Sequence, residues 1–299
     1  MPLKFGNTSN QSNNVPIDSN VSKEWLSTII YGDPGAGKTY LMSTANHHPE
    51  TGRIILLDVE GGKVTLEGLD VDFLEIETFQ DLRDAIEFLQ RYCHYRDIFF
   101  NDSADGSEKE KARLQLAALF KIKKKAEAEQ FEPPLWYSVA LDSLTETQKI
   151  NMLEIMQAVV EENPDRDPDV PSMREWGKSG NQIRQVVRQI RGLKMHSFFL
   201  ALPNIDKDEG TGKMEAVPSL PGKLAREVPG YVDIVGFLES KDDNGKFQNS
   251  LYVRPFNKHV ALKDRTRSLG AGMTNPTIPK IFTKWQEAKQ ARKENKKDS

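Results

Sequence analysis

The chain has 299 residues and a formal net charge of −3, and 37% of its residues are hydrophobic while 28% are charged. This composition is typical of a globular protein that buries a full core, in one large domain or two small ones. The small net charge excludes a global attraction to nucleic acid, so such binding would depend on local basic patches or on partners. The single cysteine, Cys93, excludes an internal disulfide and a cysteine-based zinc site.

The N-terminal stretch MPLKFGNTSNQSNNVPIDSN lacks the apolar segment of about 7 to 15 residues that a signal peptide needs. Residues 1–22 are therefore predicted to form a flexible polar arm. No apolar run elsewhere approaches the roughly 18 residues of a membrane span. We expect no membrane partner and a cytoplasmic location.

Short apolar runs alternate with helical stretches after this arm, which predicts an α/β fold with a mostly parallel central sheet flanked by helices. Apolar residues recur at helical spacing in residues 79–95 and 143–162, and another helix is predicted to start at Lys38. The predicted strands are residues 26–31, 53–58, 72–77, 136–142, 196–203, 232–239 and 249–256.

Three stretches interrupt this alternation. Residues 101–134 are a charged insertion, predicted to be helical in its middle, and residues 163–172 are a linker rich in proline and aspartate. Residues 271–299 are predicted to form a basic C-terminal tail, in which the last stretch KWQEAKQARKENKKDS is a frayed helix or simply tail.

Residues 32–39, GDPGAGKT, match the pattern G-x-x-x-x-G-K-[ST] of a phosphate-binding P-loop. Backbone N–H groups curl around phosphate oxygens in such a loop, and glycine is required where a Cβ would block their approach. Lys38 is then expected to reach the β- and γ-phosphates, and Thr39 to supply a hydroxyl to Mg²⁺. The alternative is a glycine-rich turn between a strand and a helix. The predicted nucleotide-binding residues are Gly32, Asp33, Pro34, Gly35, Ala36, Gly37, Lys38, Thr39 and Tyr40.

A P-loop site also needs an acidic residue at the end of a neighbouring strand to hold Mg²⁺. Asp142 closes the predicted strand in LWYSVALDSLTE and is predicted to be this residue, although an aspartate at such a junction can also be a helix N-cap. Hydrolysis further needs a base for the attacking water. Glu60 and Asp58 lie at the carboxyl end of the second strand, and Glu60 is preferred because two glycines leave it room to face the phosphate. The alternative for either residue is a surface carboxylate at a loop.

Together with the late ALKDRTRSLG at residues 261–270, these elements resemble the RecA-like core of P-loop NTPases. The likeness covers roughly residues 23–270 and is closest to phage-encoded RecA-like recombination ATPases, the fourth Sak group of single-strand annealing proteins. It implies that Glu60 is the catalytic glutamate and Asp142 the magnesium-organising aspartate. It also implies that Lys263 and Arg265 reach the γ-phosphate of a neighbouring subunit; the alternative for this pair is a solvated basic turn.

The sequence departs from the family pattern after the strand SFFLALP, where a Gln or His sensor is expected. Pro203 and Asn204 stand there, so Asn204 is predicted to be a shorter amide sensor. Residues 205–230 are long and rich in glycine, proline and lysine, and they fall where RecA-like proteins carry a mobile DNA-contacting loop.

Basic stretches add little independent support for DNA binding. One helical stripe consists of Arg184, Arg188, Arg191 and Lys194 and suits either phosphate contacts or a solvated face. The run FKIKKK at residues 120–125 is more typical of a solubilising surface.

The resemblance favours an ATPase, using ATP and Mg²⁺, that assembles as a homo-oligomer on single-stranded DNA and promotes annealing or pairing. A single-strand-binding protein is a further expected partner, and the location is the host cytoplasm if the chain is phage-encoded. Two alternatives remain open: a nucleotide-switch or loader module for a phage replication or packaging complex, and a small-molecule phosphotransferase.

Overall fold

The computed structural model describes residues 25–61, 67–69, 71–207, 212–243 and 246–295, so the predicted polar arm lies outside the described residues. The strands are β1 Ser27–Tyr31, β2 Arg53–Asp58, β3 Asp72–Glu75, β4 Trp136–Asp142, β5 His196–Ala201, β6 Pro203–Lys207, β7 Met214–Pro218, β8 Ile234–Asp243, β9 Lys246–Tyr252, β10 Lys263–Asp264 and β11 Gly272–Thr274. The helices are α1 Lys38–Ser43, α2 Phe79–Phe99, α3 Gly106–Leu119, α4 Lys125–Glu129, α5 Leu144–Glu162, α6 Met173–Arg191, α7 Leu224–Glu227 and α8 Ile278–Asn295.

The described strands form one large sheet and a separate two-stranded sheet. The large sheet has the order β11-β9-β8-β1-β5-β4-β2-β3, with β10 also paired to β8. Pairing is parallel from β8 through β1, β5, β4 and β2 to β3, and antiparallel only among β8, β9, β10 and β11. The predicted α/β fold, with a mostly parallel central sheet flanked by helices, is confirmed.

The two faces of the sheet bury two separate layers of apolar side chains. Successive side chains of a strand point to opposite faces, so Val139 and Leu141 of β4 lie in one layer while Ala140 lies in the other. The first layer contains side chains of α2, α3, α5 and α6, and the second contains side chains of α1 and α8. Helices therefore cover both faces, and the carboxyl ends of the parallel strands meet at one edge of the sheet.

Side-chain caps define where several helices begin. Thr78, Asp105 and Ser172 form capping boxes before α2, α3 and α6, and Ser143 caps α5. The charged insertion contains α3 and α4, and it is anchored by Leu116, which is fully buried in the first layer.

Two stretches differ from the sequence-based expectation in their local structure. Residues 205–230, predicted as a long loop, contain most of the antiparallel hairpin β6–β7 and the helix α7, because Ala216 and Val217 of β7 are buried against the rest of the chain. Residues 271–299, predicted as a basic tail, contain β11 of the large sheet and α8. The first turns of α8 bury Ile278, Ile281, Phe282 and Trp285. None of the helices in the described ranges is long and apolar enough to cross a bilayer.

Candidate active site

The glycine loop of residues 32–37 connects β1 to α1 at the carboxyl edge of the sheet. Gly35 and Gly37 have φ angles of 76° and 82°, a left-handed conformation that side-chain-bearing residues rarely adopt. The space around Gly35 is open, and Asp33, Pro34 and Gly35 are exposed. At Gly35 the backbone is open to an approaching group, which fits the phosphate groups expected from the sequence.

Gly32 lies directly beneath the backbone of β8. A Cβ at this position would meet the carbonyl oxygen of Leu238 at 2.3 Å. The Gly32 N–H donates to the carbonyl of Ala201 at 3.3 Å. The first glycine of the loop is therefore required by the close approach of a neighbouring strand.

Replacing Gly32 by alanine is expected to destabilise the fold by roughly 1–3 kcal/mol or more, because backbone atoms must shift to admit the methyl group. Urea unfolding of the full chain measures the change. Gly177→Ala is the matched control: Gly177 lies inside α6 with open space around it, so alanine should stabilise the chain by up to about 1 kcal/mol. Equal stability of the Gly32 variant and the wild type would contradict the close approach to β8.

Lys38 is buried beneath the loop that it follows. Its ammonium donates to the carbonyl oxygens of Gly32 at 2.9 Å and Asp33 at 3.1 Å. Burial lowers the pKa of Lys38 below its usual value, while the carboxylates of Glu60, Asp142 and Asp33 act in the opposite direction. The ammonium thus lies among three carboxylates at the base of the cradle.

Thr39 and Asp142 form a pair where α1 meets the end of β4. The Thr39 hydroxyl donates to Oδ2 of Asp142 at 2.6 Å, and Asp142 is only 5% exposed. Burial raises the pKa of Asp142 to about 6, with the Thr39 hydrogen bond acting against this shift and the charge of Glu60 adding to it.

A hydroxyl and a desolvated carboxylate fit the oxygen ligands that Mg²⁺ prefers. Within the described residues, no three His, Cys, Asp or Glu side chains converge into a metal site of their own. The residues present therefore fit a magnesium ion shared with bound phosphates and water, which is the usual arrangement for this ion.

Glu60 lies beside this pair, because the end of β2 is tied to the end of β4. The N–H groups of Val59 and Glu60 donate to the Asp142 carbonyl at 2.7 and 3.2 Å. The Glu60 side chain is exposed, and its Oε1 accepts a hydrogen bond of 2.6 Å from the hydroxyl of Ser143. Asp58 is 3% exposed and accepts from the Gly61 N–H at 3.0 Å, so it stabilises the turn after β2.

The late basic pair lies elsewhere. The Arg265 N–H bonds the Asp233 carbonyl and the Asp233 N–H bonds the Ser27 carbonyl, so Arg265 is level with the first residue of β1. Its guanidinium donates to the Gly230 carbonyl at 2.8 Å. The phosphate loop follows the opposite end of this strand, roughly 16 Å away at about 3.3 Å per residue. The structure does not bring the pair together with its own chain's P-loop.

Lys263 is next to Arg265, and its ammonium nitrogen is buried without a hydrogen-bond partner among the described residues. Burial lowers the pKa of Lys263 to about 8; the nearby positive charges of Arg265 and Arg191 lower it further, while Asp233 opposes them. Lys263 and Arg265 are thus two neighbouring basic side chains at this corner of the molecule, with the carboxylate of Asp233 near them.

Two other predicted residues lie at the periphery of the site. Asn204 is exposed in β6, where it pairs with Val217 in the separate two-stranded sheet. Tyr40 is 59% exposed on the first turn of α1.

The sequence analysis did not identify two residues that the structure brings to the site, Ser143 and Asn249. Ser143 carried a local signal, since it stands between a strand and a helix. Asn249 of β9 has no local signal of this kind in the sequence. In the structure it lies against the glycine loop, because its amide nitrogen is 3.3 Å from the position that a Cβ on Gly37 would occupy.

Three of the four residues in the predicted basic stripe, Arg184 and Arg188 on α6 and Lys194 just after it, contact other parts of the chain. Arg184 pairs with Glu227 at 2.8 Å, and Lys194 pairs with Asp97 at 2.7 Å. The guanidinium of Arg188 lies 4.9 Å from the centre of the Tyr231 ring. These side chains already have partners within the chain, so the contacts favour the solvated face over phosphate contacts for the stripe.

Comparison with known proteins gives one family match. The model of a family described as an AAA domain matches residues 25–266. No curated protein matches the chain significantly.

Three solved structures are similar over most of their length. A KaiC-like protein from the archaeon Pyrococcus horikoshii OT3 is 9% identical with a TM-score of 0.36, and the match covers 78% of this chain and 80% of that chain. The flagellar accessory protein FlaH from Methanocaldococcus jannaschii is 10% identical with a TM-score of 0.36, and the match covers 85% of this chain and 87% of that chain. The RadB recombinase is 15% identical with a TM-score of 0.31, and the match covers 78% of this chain and 82% of that chain. With identities and TM-scores this low, these likenesses carry no argument about what the chain does.

Proposed function

Since the chain belongs to the AAA domain family, we propose that it binds ATP with Mg²⁺, hydrolyses it and uses it in phage DNA recombination, by single-strand annealing or pairing. The observation that carries the ATPase part is the convergence of Lys38, Thr39, Asp142 and Glu60 at one edge of the sheet.

Each of these side chains has a task that its surroundings support. The ammonium of Lys38 offsets charge on the phosphates, and Thr39 with Asp142 would hold the magnesium ion, which supplies further stabilisation of that charge when bound. Glu60 is exposed beside them, so it is placed to accept a proton from the attacking water. These roles require only side chains that already lie at the cradle.

The position of Lys263 and Arg265 supports assembly. Since Arg265 lies at the end of β1 away from its own P-loop, its role at the γ-phosphate requires a second copy of the chain. The Arg265 side chain is exposed, so its guanidinium can reach a phosphate held by a neighbouring copy, with Lys263 beside it. Hydrolysis would then depend on a homo-oligomer, as with arginine fingers supplied in trans.

The proposed DNA contact is the hairpin β6–β7, with Asn204 as the amide sensor at its start. Ile205 and Met214 of this hairpin are 47% and 53% exposed. The end of β5, which leads into the hairpin, is bonded to the start of α5 through Leu202 and Thr145 at 3.1 Å. This connection ties the hairpin to the helix that follows Asp142. Single-stranded DNA, alone or with a single-strand-binding protein, is the proposed partner.

The test is ATP hydrolysis by the full chain with and without single-stranded DNA, titrated over protein concentration. Wild-type turnover per chain should rise with DNA and with concentration. Lys38→Ala should abolish turnover at every concentration. Arg265→Ala should lower it by roughly 10³-fold or more, the size of effect that arginine fingers have. Arg254→Ala is the matched control, because Arg254 is an exposed arginine that also donates to a backbone carbonyl, that of Gly270.

Other outcomes separate the alternatives. Turnover that ignores DNA and concentration but is lost in Lys38→Ala would remove the recombination proposal and favour a small-molecule phosphotransferase. Tight ATP binding without measurable turnover would favour a nucleotide switch or loader module.

A further inference from the structure

Ser143 is completely buried between the end of β4 and the start of α5. Its hydroxyl donates to Oε1 of Glu60 at 2.6 Å and accepts from the Glu146 N–H at 3.3 Å. Its carbonyl accepts from both the N–H and the hydroxyl of Thr147, at 2.9 and 2.8 Å. Backbone and side chain are therefore fixed, and the single hydroxyl proton points to Glu60.

Glu60 needs such a contact to adopt one orientation. Its side chain is exposed in the turn after β2, where a glutamate ordinarily samples several rotamers at little cost. A hydrogen bond from a buried, immobile donor to an ionised carboxylate is short and strong compared with neutral pairs. The Ser143 contact thus selects one position for the Glu60 carboxylate. This position lies beside Asp142 at the end of β4, which is the second strand from β1 in the sheet.

This position is close to the groups that act on phosphate. Ser143 directly follows Asp142, which bonds Thr39 of the P-loop. Among the carboxylates around Lys38, that of Glu60 has the largest electrostatic effect on its ammonium. The carboxylate held by Ser143 is therefore directed toward the cradle.

We propose that Ser143 is a positioning residue, which holds the Glu60 carboxylate at the phosphate cradle for proton transfer from the attacking water. The inference rests on the proposed function, in which Glu60 is the base. The competing interpretation is that Ser143 only caps α5, as Ser172 caps α6. Capping alone affects stability, whereas positioning affects turnover at saturating ATP.

The experiment compares Ser143→Ala, Ser143→Cys and Ser143→Thr with Glu60→Gln and Ser172→Ala in the full chain. Turnover at saturating ATP, affinity for a fluorescent ATP analogue and melting temperature are measured for each. Ser172→Ala removes an equivalent cap far from Glu60, so it shows the effect of a lost cap alone. Ser143→Cys fills the site with a slightly larger side chain whose thiol is a weaker donor, so it tests the contact even if the alanine variant does not fold.

Ser143→Ala should lower turnover roughly ten- to a hundredfold, the range expected for a hydrogen bond to a charged group, with nucleotide affinity within a few-fold of wild type. Ser143→Cys should be intermediate and Ser143→Thr should restore much of the activity. In the Glu60→Gln background, Ser143→Ala should have little further effect.

Two results distinguish the inference from the proposed function. If Glu60→Gln abolishes turnover while Ser143→Ala and Ser143→Cys leave it unchanged or raise it, the positioning role is wrong and the ATPase proposal stands. If Glu60→Gln itself leaves turnover unchanged, Glu60 is not the base, so its catalytic role and the positioning role of Ser143 fail together while ATP hydrolysis itself stands.

Discussion

Replacing Glu60 by glutamine is expected to lower ATP turnover by roughly 10²- to 10⁴-fold, the usual contribution of a general base. Nucleotide binding should be retained, because the cradle and the Lys38 contacts to Gly32 and Asp33 do not involve Glu60. Glutamine can still accept the Ser143 hydrogen bond, so the side chain keeps its position and loses only its basicity. Single-turnover hydrolysis and equilibrium binding of ATP separate the two effects.

Glu77→Gln is the control for this substitution. Glu77 is an exposed carboxylate that follows the neighbouring strand β3, so its loss makes a similar change in charge at the same edge of the sheet. The ATP turnover of the Glu77→Gln variant should match that of the wild type. Equal losses in both variants would indicate a general effect of charge and would remove the special role of Glu60.

Asp142→Asn is expected to stabilise the nucleotide-free protein while weakening Mg²⁺-dependent ATP binding and hydrolysis. Burial raises the pKa of Asp142 from 3.8 to about 6, so the ionised carboxylate is less favourable in the folded chain than in the unfolded chain. Asparagine keeps an acceptor for Thr39 without the charge. Each unit of pKa corresponds to about 1.4 kcal/mol, and we expect a gain of roughly 1–3 kcal/mol in the free energy of unfolding at pH 7.5.

The pH dependence gives the sign of this effect. A group whose pKa is raised in the folded state contributes stability below its unfolded pKa, and this contribution is lost as pH rises through the folded pKa. As pH rises from about 4 to 6, the wild type should therefore lose the contribution of protonated Asp142 to its free energy of unfolding. The asparagine variant has no such group and should not show this loss. The gain in the asparagine variant should shrink when urea unfolding is repeated at pH 5.

Asp33→Asn serves as the control for Asp142→Asn, because Asp33 is an exposed carboxylate of the same site. Its unfolding curve should be close to that of the wild type at both pH values. A lower stability of Asp142→Asn at pH 7.5 would show that the ionised carboxylate is favourable in the folded chain, contrary to the expectation.

Local patterns in the sequence were sufficient to predict much of the fold. Strands β2 and β4 have the predicted bounds, and α1 begins at Lys38, because mainly apolar runs that end in aspartate and a glycine-rich turn mark their limits. The hairpin β6–β7 was not predicted, because its strands contain proline, aspartate and lysine and are short. What stabilises it is contact with distant segments, such as the 2.6 Å bond from the Ala216 N–H to the Lys258 carbonyl.

The sequence by itself determined the chemistry of the phosphate loop, since spacing and residue type within ten positions specify glycine backbone, a lysine and a hydroxyl. Only the tertiary structure decided which distant groups meet it. Ser143 bonds Glu60 across 83 positions of sequence, and Arg265 lies at the far end of β1 from the P-loop. Such contacts depend on the order of parallel strands, which results from packing of both faces of the sheet and leaves no local signal in the chain.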